Sequence, residues 1–424
     1  MKNILDKIFF RTNNLDYISQ SIKDLTKKTP LKKIFHAVNT YGPQSEIRYV
    51  GGCLRKIINK EKIDDIDLAT NLEPKQVCDA LKKNDIKYYE SGIDHGTITA
   101  IEGKYKFEIT TLRKDISTDG RHANVEFSRD WKEDASRRDF TINSIYSDKD
   151  GNLFDPNDGL NDLKKGEVKF IGEADKRVKE DYLRILRYIR FFLNYSKQSH
   201  NLEIIRSIKR NIGGISKLSK ERLLDELKKI IKLDTLEKLA KDKISLDLFF
   251  IIFPELRNIK LFSKLSISSK NFLKDKDFIF LLSLIVIDHT DNTDYFLYKF
   301  NISKKDQKRI KNIDNFFKEK INSKTFTKKN INSLFYYKGK EAVIDILSHK
   351  IIKSKKDDKS LKELINYYKS NEAPPMPINA DFLMQKYKMQ EGKQLGEKLR
   401  IIEEEWVKNN FKISDQQIDN IVNS

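Results

Sequence analysis

The sequence predicts an α+β protein, with a mixed β-sheet and flanking helices in its first part and helices alone thereafter. Three observations lead there. Short runs of β-branched and aromatic residues, punctuated by glycine, are confined to the first 172 residues. Beyond them strand signals fade into charged amphipathic helices separated by Asn, Ser and Asp. The 424 residues also exceed what one ordinary core organises, so two or more domains are expected.

The elements follow in order. Residues 15–41 read as helical, with Ile18, Ile22, Leu25, Leu31, Ile34, Phe35 and Val38 at helical spacing. A short strand at 47–50, a helix at 54–59 and a strand at 66–69 come next. Pro74 opens a helix over 76–82. Residues 96–101 and 106–112 alternate as strands and meet in a hairpin at Glu102-Gly103. Ala373-Pro374-Pro375-Met376-Pro377 cannot continue a helix and reads as a linker. Past it, Leu395, Leu399, Ile402 and Trp406 form one apolar stripe, expected to pack on the body of the protein.

Composition narrows the function. A formal net charge of +19 fits a polyanionic partner, although Lys, Ile and Asn are enriched throughout, as in an A- and T-biased genome. Two cysteines, Cys53 and Cys78, and six scattered histidines supply neither a disulfide framework nor a Cys/His metal pattern. A reducing, cytoplasmic setting is expected. The longest apolar run, 278–287, is about half a bilayer span, so no membrane segment is expected. Residues 1–11 carry Ile8, Phe9 and Phe10 but no secretory apolar core; a weak amphipathic targeting segment is the alternative there, and Asp6 argues against it.

The chemistry concentrates in four places. Val50-Gly51-Gly52-Cys53-Leu54-Arg55 ends a strand on two glycines and enters a helix, a turn that lets backbone N–H groups approach a phosphate. One short helix later, Asp65 and Asp67 stand two apart, facing the same side of a strand and able to share a divalent metal, while Asp64 faces away. Arg137-Arg138-Asp139-Phe140-Thr141-Ile142-Asn143 reads as an anion-binding element cross-braced by its own carboxylate. Asp155, Gly159 and Asp162 read as a structural turn.

The fourth place is 180–190, where Asp181, Arg184, Arg187 and Arg190 recur every three residues around one helix face, beside the apolar stripe of Leu183, Leu186 and Ile189. A carboxylate followed by three guanidiniums suits a nucleoside triphosphate, base at one end and anions at the other. Cytosine and adenine share an exocyclic amino donor beside a ring-nitrogen acceptor, whereas guanine and uracil present the reverse. Asp181 accepts and Arg184 donates, so the pair welcomes C and A. A mismatched buried group costs on the order of 1 to 3 kcal/mol.

Taken in order, Gly51-Gly52-x-x-Arg55, Asp65-x-Asp67, Glu108-Ile109-Thr110-Thr111-Leu112-Arg113, Arg137-Arg138-Asp139, Asp155 with Gly159, and Glu180-Asp181-x-x-Arg184 resemble the class II tRNA nucleotidyltransferases, the CCA-adding enzymes. Ser219-x-Glu221-Arg222 with Glu226-Leu227 resembles their neck motif. Leu395-Gly396 and Trp406 resemble the tail of the alphaproteobacterial and mitochondrial-type branch. The specific match spans 45–230.

The resemblance implies an N-terminal helical extension (1–44), a catalytic nucleotidyltransferase head (45–172), a helical neck (173–232), a helical body (233–372) and a tail (373–424). It implies addition of C, C and A to tRNA from CTP and ATP, with a two-metal Mg2+ site on Asp65 and Asp67. Gly52, Arg55, Arg138, Arg187 and Arg190 would contact the triphosphate, and Asp181 and Arg184 would act as an amino-acid template for the base. Glu108 is either a third active-site carboxylate or an exposed strand residue. Residues 113–125, with Asp119-Gly120-Arg121-His122, fall where the family has a flexible loop that switches C to A. No obligate protein partner is implied, and Lys353, Lys355 and Lys356 are candidates for a basic track along the tRNA acceptor arm.

One departure stands out: Lys56 occupies a position where the family usually has Asp, which bears on the bracing of Arg55. Among rivals, a bacterial poly(A) polymerase shares the head, but Gly92-Ile93-Asp94-His95-Gly96-Thr97-Ile98-Thr99 lacks the Gly-Arg-Arg-Phe signature expected there. CC-only enzymes tend to lack the loop present here. A non-catalytic RNA-binding protein would require loss of Asp65 or Asp67, and both are present.

Overall fold

The computed structural model describes residues 2–118, 123–319, 326–354 and 358–424. It divides into two compact units, Met1–Glu226 and Leu227–Ser424.

The first unit opens with α1 (Lys2–Lys28) and α2 (Leu31–Asn39), so the helix expected over 15–41 is two helices. Pro30 has no N–H to continue α1 and sits at the N-cap of α2. Ile18 and Ile22 are fully buried, and the Thr26 and Tyr49 hydroxyls hydrogen-bond at 2.7 Å, fixing α1 to the sheet's central region.

There follow β1 (Ile47–Val50), α3 (Gly52–Ile58), β2 (Asp67–Thr70), α4 (Pro74–Lys83), β3 (Lys87–Gly92), β4 (Thr97–Glu102) and β5 (Tyr105–Thr111). A ribbon of β6 (Arg113–Thr118) and β7 (Ala123–Phe127) leads to α5 (Trp131–Arg137), β8 (Tyr146–Ser147) and β9 (Leu153–Phe154). The sheet order is β3-β4-β5-β2-β1-β8-β9, with β6-β7 a separate antiparallel pair. Only β2 and β5 run parallel within the described sheet, since the segment between them, including α4, is long enough for a crossover. A reciprocal capping box between Glu73 and Gln76, with Pro74 in the first turn, starts α4. Gly103, at φ +59°, makes the hairpin between β4 and β5.

Sequence periodicity missed β3, whose Lys87, Tyr89 and Glu90 are exposed as expected of an edge strand. Along β5, Phe107, Ile109 and Thr111 point into the core and Lys106 and Glu108 away from it. The unit ends with helices α6 (Gly159–Lys165), α7 (Ala174–Glu180), α8 (Leu183–Tyr195) and α9 (Leu202–Asn211), and α10 (Lys220–Ile230) begins in it.

The second unit, in its described residues, is helical. Helix Phe278–Val286 is buried almost throughout, which accounts for its unbroken apolar run. Ile331, Phe335, Val343, Leu347, Leu361 and Tyr368 form one core. Residues 373–377 are outside any helix. After them, Leu395 and Ile402 close a smaller core with Leu383 and Ile418, and Trp406 packs against Tyr336 at 5.3 Å. Among the described residues no helix is long and apolar enough to cross a membrane.

Candidate active site

The strand β1 runs out at Gly51, whose φ of 68° and ψ of −115° suit a residue without Cβ. Its N–H donates to the Ile145 carbonyl at 3.4 Å, and Gly52 begins α3. A Cβ on Gly52 would lie 3.8 Å from Asp67 Oδ2 and 4.0 Å from Arg55 Nη2, and one on Gly51 would lie 3.9 Å from Arg138 Nη1. The missing side chains therefore leave a gap walled by one carboxylate and two guanidiniums.

Asp67 is the first residue of β2 and stands in parallel register with Glu108 of β5. The expected strand over 66–69 is displaced by one residue. Asp65 lies in the connector before it, so the two aspartates do not share a strand face, which corrects the argument that paired them. They still interact: burial, then the charges of Glu108 and Asp65, push the Asp67 carboxyl above its usual range, against the pull of Arg138 and Arg55. Asp67 is thus a carboxylate crowded by negative charge from two sides, a setting in which a nearby divalent cation would be favourable. Glu108 is exposed, yet its charge is felt at Asp67.

Arg55 is buried. Its Nη1 donates to Asn143 Oδ1, and its guanidinium lies 4.8 Å from the Phe191 ring and 5.0 Å from the Tyr195 ring. Lys56 turns away and pairs with Asp64 at 2.7 Å. The bracing put in question by Lys56 is thus supplied by an amide and two aromatic faces.

The bracing within 137–143 also differs from expectation. Arg138 is held by Asp134, upstream on α5, with Nη2 to Oδ2 at 3.0 Å, while Asp139 belongs to Arg187 at 2.6 Å and to Asn143 at 2.8 Å. Burial alone would raise the Asp139 carboxyl, but the Arg187 charge and the bonds from Asn143, Arg187 and the Phe140 N–H hold it down at about 2.

Asp181 does not share a helix face with the three arginines. It lies in extended conformation between α7 and α8, where its Oδ1 accepts the Leu183 N–H at 3.1 Å and its Oδ2 accepts from Arg222 Nη2 at 2.8 Å. Arg184 is buried and donates to Glu180 and to the Arg177 carbonyl. Arg187 and Arg190 follow on α8. Arg190 donates to buried Glu226 and sits 4.1 Å from the Phe191 ring, so part of its guanidinium serves the fold. Sequence reading passed over Asp134, Tyr146, Arg177, Phe191 and Tyr195, none of which stands out before its partner is known.

Asp155 behaves as a turn residue, accepting the Gly159 and Leu160 N–H groups at 2.9 and 2.8 Å. A Cβ on Gly159 would stand 2.1 Å from the Thr141 carbonyl oxygen, which explains the glycine. Residues 113–125, expected as a flexible loop, are for the most part the paired strands β6 and β7, and Asp119, Gly120, Arg121 and His122 lie outside the described residues. Lys353 is not a freely solvated cation: burial lowers its pKa to about 8, against the attraction of Asp288. Lys355 and Lys356 lie outside the described residues.

Comparison with known proteins bears on the family and the fold. Residues 47–169 match the model of the Poly A polymerase head domain, 202–260 the "Probable RNA and SrmB-binding site of polymerase A", and 272–422 the second domain of tRNA nucleotidyltransferases. The chain is 34% identical to the mitochondrial CCA tRNA nucleotidyltransferase 1 of Mus musculus over 384 residues, 88% of this chain and 85% of that protein. It is 30% identical to the CCA-adding enzyme of Streptococcus uberis over 374 residues, 84% and 87% of the two chains. The Bacillus stearothermophilus CCA-adding enzyme, solved in complex with CTP, superposes with a TM-score of 0.68 at 20% identity, covering 89% of this chain and 92% of that one.

Proposed function

We propose a mechanism for a chain that belongs to the CCA tRNA nucleotidyltransferases and adds C, C and A to the 3′ end of tRNA from CTP and ATP, releasing pyrophosphate. The observation that supports it is the gap at Gly52, bordered within 4.0 Å by Asp67 and Arg55, with Arg138 beside the preceding glycine.

In this reading Gly52 admits the triphosphate, which a side chain would hold off. Arg55, stiffened by Asn143, Phe191 and Tyr195, and Arg138, stiffened by Asp134, bind its oxygens and stabilise the charge that moves to the leaving pyrophosphate. Asp65 and Asp67, with Glu108 in register beside Asp67, would hold Mg2+, which would supply a lowered pKa at the tRNA 3′ hydroxyl and polarisation of the α-phosphate. Among the described residues no three His, Cys, Asp or Glu side chains are gathered tightly enough to hold an ion alone, so the bound nucleotide would have to share in holding it.

Asp181 and Arg184 read the base. Both are already charge-paired, with Arg222 and Glu180, so they meet the base pre-oriented. Arg187 contributes to the triphosphate end while tied to Asp139, and Arg190, committed to Glu226, has a supporting part. Residues 45–172 serve as head, 173–232 as neck, and 233–372 with 373–424 as body and tail holding the tRNA through phosphate and shape. The two cysteines are free and buried, as a reducing setting allows, and the mitochondrial relatives make a mitochondrial setting the alternative to the cytoplasm.

The test is tRNA lacking its 3′ end, offered each labelled nucleotide alone and then CTP with ATP, with products sized on a gel. Addition of C, C and A by the wild type, and of nothing by Asp67→Ala with tRNA affinity kept, is expected. An Asp67→Ala enzyme retaining more than a few per cent of turnover would overturn the metal assignment.

A further inference from the structure

The geometry points to Asp134 and Tyr146 as positioning residues that aim one corner of the Arg138 guanidinium at the triphosphate, an inference that rests on the phosphate-binding role proposed for Arg138. Asp134 is 1% exposed and Tyr146 fully buried, yet both carry polar groups toward the same arginine. Arg138 Nε donates to Asp134 Oδ2 at 3.1 Å and to the Tyr146 hydroxyl at 2.9 Å, and Nη2 donates to Asp134 Oδ2 at 3.0 Å. The Tyr146 hydroxyl in turn donates to Asp134 Oδ2 at 2.7 Å. Two of the three guanidinium nitrogens are thereby occupied. The third, Nη1, is the one that borders Gly51.

A guanidinium is a rigid planar fork, so fixing two nitrogens fixes the third. Tyr146 is itself immobilised in β8 by edge-on contact with Trp131, ring centroids 5.3 Å apart. Asp134 also takes Arg137, through Nε at 2.8 Å, so one carboxylate faces two cations and the cluster keeps a net positive charge. Burial alone would push Asp134 toward neutrality, but Arg138, Arg137 and the Tyr146 hydroxyl hold it well below the usual carboxylate range. A purely structural cluster would not need that surplus cation aimed at a glycine turn. A pre-aimed arginine loses little rotamer entropy when the nucleotide arrives.

The experiment measures the dissociation constant of inorganic pyrophosphate with Mg2+, and KM for CTP and ATP, in Tyr146→Phe, Asp134→Asn, Arg138→Ala and the Tyr146→Phe/Arg138→Ala double variant. Tyr146→Phe should weaken pyrophosphate roughly three- to tenfold, raise both KM values alike, and leave the choice of C and A over G and U unchanged. Asp134→Asn should do the same more strongly. In the Arg138→Ala background the Tyr146→Phe effect should vanish, because the tyrosine acts only through the arginine. If Arg138→Ala binds pyrophosphate like the wild type, the proposed role of Arg138 fails. If Arg138→Ala weakens binding while Tyr146→Phe does not, or the two effects simply add, the positioning role fails. Should Asp134→Asn not fold, the tyrosine pair of variants decides.

Discussion

Substituting alanine for each glycine of the turn separates folding from function. At Gly51 the backbone has φ 68° and ψ −115°, a conformation L residues rarely adopt, so Gly51→Ala should cost about 1 to 3 kcal/mol of stability. For a unit of this size each kcal/mol moves Tm by roughly 2 to 4 °C. Gly52 opens α3, its φ is not positive, and an added Cβ would meet Asp67 Oδ2 at 3.8 Å and Arg55 Nη2 at 4.0 Å, ordinary contact distances. Gly52→Ala should therefore leave Tm unchanged or slightly raised. That methyl nevertheless occupies the gap through which, in the proposed mechanism, a phosphate oxygen comes within about 2.8 Å of Arg55. Losing one charge-assisted contact of about 1.5 to 3 kcal/mol weakens CTP by about ten- to a hundredfold. Calorimetric titration of CTP with Mg2+, paired with thermal unfolding, reads both quantities. Wild-type CTP affinity in Gly52→Ala would refute the placement of the triphosphate over this turn.

Asp181→Ala and Arg184→Ala should change which base is chosen rather than only slow addition, seen as a rise in GTP and UTP incorporation relative to CTP; unchanged ratios would assign these residues to phosphate alone. Asp139→Asn should cost stability that depends on pH. The wild-type carboxyl titrates at about 2 in the fold and near 3.8 unfolded, so its stabilisation of about 2 kcal/mol is complete above pH 4 and lost as the pH falls through 2. Urea unfolding of both forms should show a gap at pH 6 that narrows between pH 4 and 2, and a gap independent of pH would rule this out. Shortening the ribbon connection at Asp119-Gly120 should leave CC addition near normal and stop the product before the terminal A; complete CCA synthesis by the shortened enzyme would remove its part in switching.

The architecture was legible where patterning is strong. Ile47–Val50, the glycine turn, the β4–β5 hairpin and the long helical second part all follow from apolar periodicity and punctuation. The edge strand β3 escaped because both its faces carry polar groups, and the break at Pro30 was overridden by helical spacing on either side of it.

For the site, residue types were readable and their partners were not. A sequence places Arg138 beside Asp139, and local reasoning pairs them, but the chain turns from α5 into extended backbone at Arg138 and sends the two side chains to different partners. Arg138 returns to Asp134 one helical turn earlier, and Asp139 reaches Arg187, forty-eight residues away in sequence. The same holds for Asp181, whose partner Arg222 comes from α10. Lys56 shows what such long-range pairing permits. Arg55 is braced by Asn143 and by rings from α8, not by its sequence neighbour, and Lys56 instead takes up Asp64. Spacing in the motifs records which groups must converge, whereas the identity of each brace depends on which distant element the fold brings alongside.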